Sequence, residues 1–370
     1  MDIGVPREQR DLDMRVGLGS NSVAQLVRQG NTVFLQQGAG EGAGFSDHDY
    51  VVAGATIVYS AEEVYKRSQM ICRVTTPSLQ ELDEMQPGQI VCGFAHLSAA
   101  SSNRMSKILE RKITMVAYEL LKDERGVRPI LRTMSQIAGR LVPQVAANLL
   151  ESPRGKGLLL SGIPGLPPAE VTILGAGEVG MHAARAFAGL GSQVTVLDEA
   201  DRLAEMDQVF DVPGRMRLMY SYPDQLAKAT AYADVLIGAV NIPGERAPML
   251  VTENLVQSMR PGAVIIDVSI DQGGCVETSR PTTLRDPTYV KHSILHYCVP
   301  NFTALVSRTA SRALSNVLRP YLTTLANQNS ALLNHEIIRS AVVTYQGMVV
   351  NQQIAAAHNL PFQKLEDVLR

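Results

Sequence analysis

Gly175, Gly177 and Gly180 stand directly behind the short apolar run Val171 to Leu174, in a spacing that can do chemistry with a phosphate. A helical pattern begins at Val179 and continues through Ala183, Ala184, Phe187 and Leu190, and a second apolar run, Val194 to Leu197, ends on Asp198. In such a strand, turn and helix the first glycine makes the tight turn. The second lets the backbone approach a pyrophosphate, and the third lets helix and strand pack closely. The phosphates then rest on the helix N-terminus, whose free N–H groups and dipole favour an anion. Glu178 and Val179 open that helix and belong with the glycines in a cofactor-binding set. An acid about 20 residues beyond the glycines accepts hydrogen bonds from the ribose hydroxyls, so Asp198 points to NAD rather than NADP. The competing reading is an α/β domain that has the turn and binds nothing.

The rest of the chain must position this element. With 370 residues there is enough length for two domains, each with its own core. Charged residues make up 19% and the formal net charge is −2, with no long block of like charge, which argues against nucleic acid or an anionic membrane as partner. Cys72, Cys92, Cys275 and Cys298 show no metal-ligand spacing, so no metal site is expected. No secretory leader is evident and no apolar run approaches the ~18 residues of a membrane span. A reduced, cytoplasmic protein is the expectation.

Short apolar strands alternate with amphipathic helices from the start. Strands are expected over Asp2 to Val5, Thr32 to Gln36, Thr56 to Val58, Met70 to Val74, Ile90 to Ala95 and Thr114 to Tyr118. Helices are expected over Ser22 to Gln29, Asp47 to Ala53, Ala61 to Lys66 and Ser101 to Arg111. The glycines at 38, 40, 42 and 44 read as a turn, because no helix starts directly behind them. A long helix follows over Gln136 to Leu150. Beyond the glycine motif, Arg215 to Tyr220, Val235 to Val240 and Ala263 to Val268 read as further parallel strands, with helices over Asp224 to Thr230 and Thr252 to Ser258. After Ser307 comes a helical pattern that Pro320 should kink or interrupt. A final amphipathic segment, Ile337 to Asn351, counts among the expected C-terminal helices.

Taken together the landmarks resemble the alanine dehydrogenase family, whose architecture is shared with the soluble part of nicotinamide transhydrogenase. The resemblance covers essentially the whole chain. It rests on IGVPREQR from Ile3, MRVGL around Arg15, QGAGEGAGFSD from Gln37, FAHLSAA around His96, AYE ending at Glu119 and MSQIAGR from Met134. It continues through the glycine motif, IGAVNIPG from Ile237, VSIDQGGCVETSRPTT from Val268 and HYCVPNF from His296. The implied fold is α/β, with two Rossmann-like doubly wound domains. The NAD-binding domain, 129–306, is inserted into a discontinuous substrate domain, 1–128 and 307–370, with the cleft between them. The implied reaction is the reversible oxidation of L-alanine with NAD and water to pyruvate, ammonium and NADH.

The resemblance implies a substrate-carboxylate role for Arg15 and proton transfer by His96, and it makes Asp271 the catalytic carboxylate. Asn301 would lie close to nicotinamide and substrate, and Ser135, Ala239, Val240, Asn241 and Ile242 would touch the cofactor. The residue types suit these tasks. A guanidinium grips a carboxylate bidentately. An imidazole titrating near neutrality exchanges protons with carbinolamine and imine intermediates. On the residues alone, Arg15 could equally be a salt-bridge partner, His96 a packed side chain, and Asp271 a cap before Gly273 and Gly274. The resemblance also implies a homo-oligomer, most often a hexamer, and hinges near 126–134 and 301–308.

One departure matters most. The family reads KVKEP where this chain has RVTTP, Arg73 to Pro77, so the lysine that binds the substrate carboxylate is replaced by Thr75. Removing a charge-assisted hydrogen bond to a carboxylate, with nothing in its place, would cost about 1.5–3 kcal/mol, roughly ten- to a hundredfold in affinity. Gln136, Asn241, Pro300, Phe302 and Thr303 depart from the family as well. Either another cation, Arg73 or Arg308, has taken over the carboxylate, or the substrate has changed. Three readings follow: an alanine dehydrogenase with a rearranged carboxylate site, an amino-acid dehydrogenase or imine reductase on another substrate, and a nucleotide-binding homologue without turnover.

Overall fold

The computed structural model describes residues 1–209, 215–242, 244–326 and 335–369. The chain divides into two compact units, one built chiefly from Met1–Met134 and Ala304–Arg370, the other chiefly from Ser135–Ile242 and Arg246–Thr303.

The first unit begins with β1 (Asp2–Val5), β2 (Thr32–Gln36), β3 (Thr56–Val58), β4 (Met70–Cys72), β5 (Ile90–Gly93) and β6 (Thr114–Ala117). Their order in the sheet is 6-5-4-1-2-3, and every pair is parallel. β4 and β6 are buried along their whole length, as a parallel sheet covered on both faces requires. The second unit holds β7 (Glu170–Leu174), β8 (Gln193–Asp198), β9 (Met216–Tyr220), β10 (Val235–Gly238), β11 (Val264–Asp267), β12 (Thr288–Lys291) and β13 (Ile294–Tyr297). They lie in the order 12-13-11-10-7-8-9, all parallel except the edge pair of β12 and β13. Leu174, Leu197, Leu236 and Ile265 from four adjacent strands share one core with Val251, Val256 and Met259.

The alternation of strand and helix therefore gives the expected parallel α/β sheets, with three corrections. The segment expected to be amphipathic over Ile337 to Asn351 is a short helix, Glu336–Arg339, followed by a hairpin of β14 (Val342–Tyr345) and β15 (Met348–Val349). Its two-residue turn is Gln346 and Gly347, both at positive φ (48° and 85°), the primed geometry that suits a tight hairpin. β14 joins the first sheet antiparallel to β6, so β-branched Val342, Val343 and Thr344 are buried there. Of the two outcomes expected at Pro320, a kink or an interruption, the interruption does not occur, since the helix runs over Ser307–Ala326. Asn316, four residues earlier, loses a hydrogen-bond donor, but both it and Pro320 face solvent, while Leu314, Leu318, Leu322 and Leu325 stay buried. Finally, a helix that the sequence pattern does not announce spans Leu79–Glu84. Ser78 and Glu81 cap it reciprocally, Ser78 Oγ accepting from Glu81 N at 3.2 Å and Ser78 N donating to Glu81 Oε2 at 2.8 Å.

Candidate active site

In the second unit the three glycines divide the work as their spacing suggests. Gly175 has φ 103°, and a Cβ there would lie 2.7 Å from Ala239 O, so the turn off β7 is tight against the end of β10. A Cβ on Gly180 would lie 1.8 Å from Gly175 O, which binds the helix Glu178–Gly189 closely to its strand. At Gly177 the same test meets nothing within 4 Å, and this glycine caps the helix without a side-chain hydrogen bond. An open backbone face thus adjoins helix N–H groups that no side chain caps, which is what a pyrophosphate needs. Asp198, at the end of β8, accepts from Ala176 N at 2.5 Å and Glu199 N at 2.7 Å, so its carboxylate adjoins the glycine turn. These residues fit a dinucleotide.

Ser135 lies on the helix Pro129–Leu150, one turn before Gly139. A Cβ on Gly139 would lie 2.5 Å from Val179 O, and Gln136 Nε2 donates to Glu178 Oε2 at 3.3 Å, so Ser135, Glu178 and Val179 share a neighbourhood. Ala239 and Val240 follow β10, Ala239 N donating to Leu174 O at 2.8 Å. Asn241 and Ile242 are exposed. Asn241 Oδ1 accepts from Gln272 Nε2 at 3.1 Å, and Asn301 N donates to both carboxylate oxygens of Asp271, at 3.0 and 3.2 Å. Asn301 stands at φ 58°, unusual outside glycine. The unit therefore gathers Asp271, Asn301 and Asn241 around one loop, 268–275.

In the first unit His96 follows β5 in the left-handed region, φ 44° and ψ 39°. Such strain persists only where the surroundings over-determine it. Glu119, 4% exposed, does so by accepting from Ala95 N at 3.1 Å and His96 N at 2.7 Å. The imidazole stacks on Phe94, ring centroids 5.9 Å apart, and its buried Nδ1 has no hydrogen-bond partner among the described residues. Arg15 is buried, and Asp13 grips it through Nε at 2.8 Å and Nη2 at 2.5 Å. Burial alone would raise the Asp13 carboxyl, but the Arg15 guanidinium holds it below the usual carboxylate range.

Thr75 sits in a buried polar network. Its hydroxyl donates to Glu8 Oε2, and Val74 N donates to Glu8 Oε1 at 2.6 Å. Arg73, 1% exposed, reaches Glu8 at 3.2 Å with Nη2 and Glu81 at 2.7 Å with Nη1, and Tyr65 Oη donates to Glu81 at 2.9 Å. Burial works to raise Glu81, yet Arg73 and the other donors bring its carboxyl below the usual range. Two expectations change here. Arg73 is no substitute cation for a substrate, since its two ends are taken by buried carboxylates, and the one hydroxyl proton of Thr75 is given to Glu8. Arg308 is exposed, its Nε 3.2 Å from where a Cβ of Gly44 would stand. Glu119 and Glu8 are functional neighbours that sequence reasoning missed. Glu119 closes the AYE motif, and Glu8 lies in VPRE, but neither shows its partner locally.

The signature of the alanine dehydrogenase/PNT N-terminal domain matches residues 4–138, and that of the C-terminal domain matches residues 142–352. The alanine dehydrogenase of Mycobacterium tuberculosis is 39% identical over 373 residues, covering 100% of both chains. That of Bacillus subtilis is 41% identical over 360 residues, covering 96% of this chain and 94% of its own. A solved L-alanine dehydrogenase superposes with a TM-score of 0.87 at 42% identity, covering 97% of this chain and 99% of the other. A transhydrogenase from Sinorhizobium meliloti shares the fold, with a TM-score of 0.75 at 23% identity over 95% of this chain and 99% of the other.

Proposed function

The chain belongs to the alanine dehydrogenase/PNT family and is an alanine dehydrogenase-like oxidoreductase acting on a CH–NH2 group, and we propose that it interconverts L-alanine and pyruvate with NAD. The observation that carries the cofactor is the open backbone face at Gly177 beside a helix N-terminus that no side chain caps. NAD held there would supply the hydride acceptor for oxidation of the amino-acid Cα and, as NADH, the donor for the reverse direction. Gly175, Gly177, Glu178, Val179 and Gly180 would hold its pyrophosphate, and Asp198 would accept from its ribose hydroxyls. Ser135, Ala239, Val240, Asn241 and Ile242 complete the cofactor set.

The remaining roles belong to the chain's own side chains. Arg15, oriented by Asp13, grips the substrate carboxylate, and Thr75, at the position of the family's second carboxylate cation, holds Glu8. His96 takes a proton from the carbinolamine and returns one to the amine side, its ring placed by the Glu119 clasp on its backbone. Asp271 orients the water that attacks the imine, and Asn301, whose N–H fixes that carboxylate, lines the same face. In the family pattern a homo-oligomer, most often a hexamer, carries such sites. Among the described residues no helix is long and apolar enough to cross a membrane. The proposed setting is the cytoplasm.

Thr75 favours a second reading, an amino-acid dehydrogenase or imine reductase whose substrate leans less on its carboxylate. NADH oxidation with ammonium and a panel of 2-oxo acids separates the two. Pyruvate should be among the turned-over substrates, and failure with pyruvate while larger oxo acids or imines react would select the second reading. Thr75→Lys should raise kcat/KM for pyruvate, by roughly ten- to a hundredfold if the missing cation alone limits binding. No gain would mean that the pocket has been rebuilt for something else. Absence of turnover with every amine and oxo acid would leave only a nucleotide-binding role.

A further inference from the structure

Asp267 ends β11 and is 1% exposed, and among the described residues it has no ion-pair partner. Burying a carboxylate without a cation is costly unless hydrogen bonds to the charged form offset the loss of water. Here burial still pushes the carboxyl above its usual range, opposed by a hydrogen bond from the Ser279 side chain and by backbone donors at the two ends of one loop. Oδ1 accepts from Ser269 N at 3.1 Å, where the loop leaves the strand, and Oδ2 accepts from Cys275 N at 3.0 Å and Val276 N at 3.4 Å, where it ends. Asp271 lies between those ends. Gly273 and Gly274, at φ 100° and 83°, bring the chain back, and a Cβ on Gly274 would lie 2.9 Å from Asp267 Oδ2. A Cβ on Gly238, in the adjacent β10, would lie 2.7 Å from Oδ1. The backbone has thus been cleared around the carboxylate from two sides.

We infer that Asp267 is a positioning residue: it clasps both ends of the loop 268–275 and so sets the place of the Asp271 carboxylate. The inference rests on the catalytic reading of Asp271 given above. A carboxylate is the group that can do this, because both of its oxygens accept. An amide presents one acceptor, and its nitrogen would confront a backbone N–H at the other end. The loop's other anchors then act on a fixed frame: Asn301 N on Asp271, and Asn241 and Ala247 on Gln272.

The test uses the full-length protein with NADH, ammonium and the best oxo acid of the panel. Turnover, kcat, is expressed per NADH-binding site, counted by fluorescence titration. Asp267→Asn should lower kcat per site by on the order of tenfold to a hundredfold, the range that a small misplacement of a reacting group produces, while NADH affinity stays within about twofold. Gly274→Ala, which pushes on the carboxylate without removing it, should do the same and decides the matter if Asp267→Asn yields no NADH-binding protein. Adding Asp267→Asn to Asp271→Asn should cost nothing further. Unchanged kcat per site, or losses that multiply with Asp271→Asn, would overturn the clasp. Parental turnover surviving Asp271→Asn would instead remove the reading on which the clasp depends, and the inference with it.

Discussion

His96→Ala should lower turnover of NADH with ammonium and the best 2-oxo acid by about 10²- to 10⁴-fold, the usual contribution of a positioned acid–base group. Alanine retains the backbone N–H that Glu119 receives, so the loop after β5 keeps its anchor and loses only the ring. NADH affinity should stay near the parental value, because the residues proposed for the cofactor belong to the other unit. Steady-state kinetics beside an NADH titration measure both quantities. Activity surviving at more than about a tenth of the parent would dismiss His96 as the proton carrier. The observation behind the prediction is a ring held at a strained backbone position with a buried Nδ1 that no described group of the chain satisfies. His296, by contrast, is held at the same atom by Ile294 O at 3.0 Å.

Arg73→Met should lower stability by about 3–5 kcal/mol, because removing one partner of a buried ion pair leaves the other charge uncompensated. Two carboxylates, Glu8 and Glu81, would lose their cation together. The sign of the pH dependence follows. In the parent, Glu81 is held below the usual glutamate range, so its contribution is present above that range and is lost as the solution is acidified through the lowered value. Without Arg73, burial raises the carboxyl instead. The variant's deficit should therefore be largest near neutrality and shrink on acidification, as the Glu81 carboxyl protonates. Urea unfolding midpoints of the two proteins at several pH values provide the check. A deficit below about 1 kcal/mol near neutrality would show that the network tolerates the loss, and Arg73 would regain interest as a binding cation.

How much of this is legible in the sequence depends on distance along the chain. The glycine turn, its helix and Asp198 fall within one strand–helix–strand unit. Steric limits on φ and the burial of alternate faces act between near neighbours there, so residue types alone imply the geometry found at Gly175, Gly177 and Gly180. The parallel strands are equally readable, since a strand buried on both faces must be an unbroken apolar run. The substitution at Thr75 is visible as well, but its meaning is not. That Thr75 donates to Glu8, that Arg73 pairs with Glu8 and Glu81, that Glu119 clasps His96 and that Asp267 ties the loop of Asp271 are facts of three-dimensional packing.

Buried charges need partners whatever their separation in sequence, and nothing local announces which one will arrive. The same holds for β14, which reads as amphipathic until it is found paired with β6 at the sheet edge, where its valines gain burial and its backbone gains a ladder. Sequence by itself determined the kind of fold, the cofactor motif and the residue types able to handle a carboxylate and a proton, because each is written in short-range pattern. Tertiary structure alone decided which of the buried charges serve the fold and which carboxylates hold the candidate catalytic groups in place, because solvation and pairing are settled only when distant segments meet.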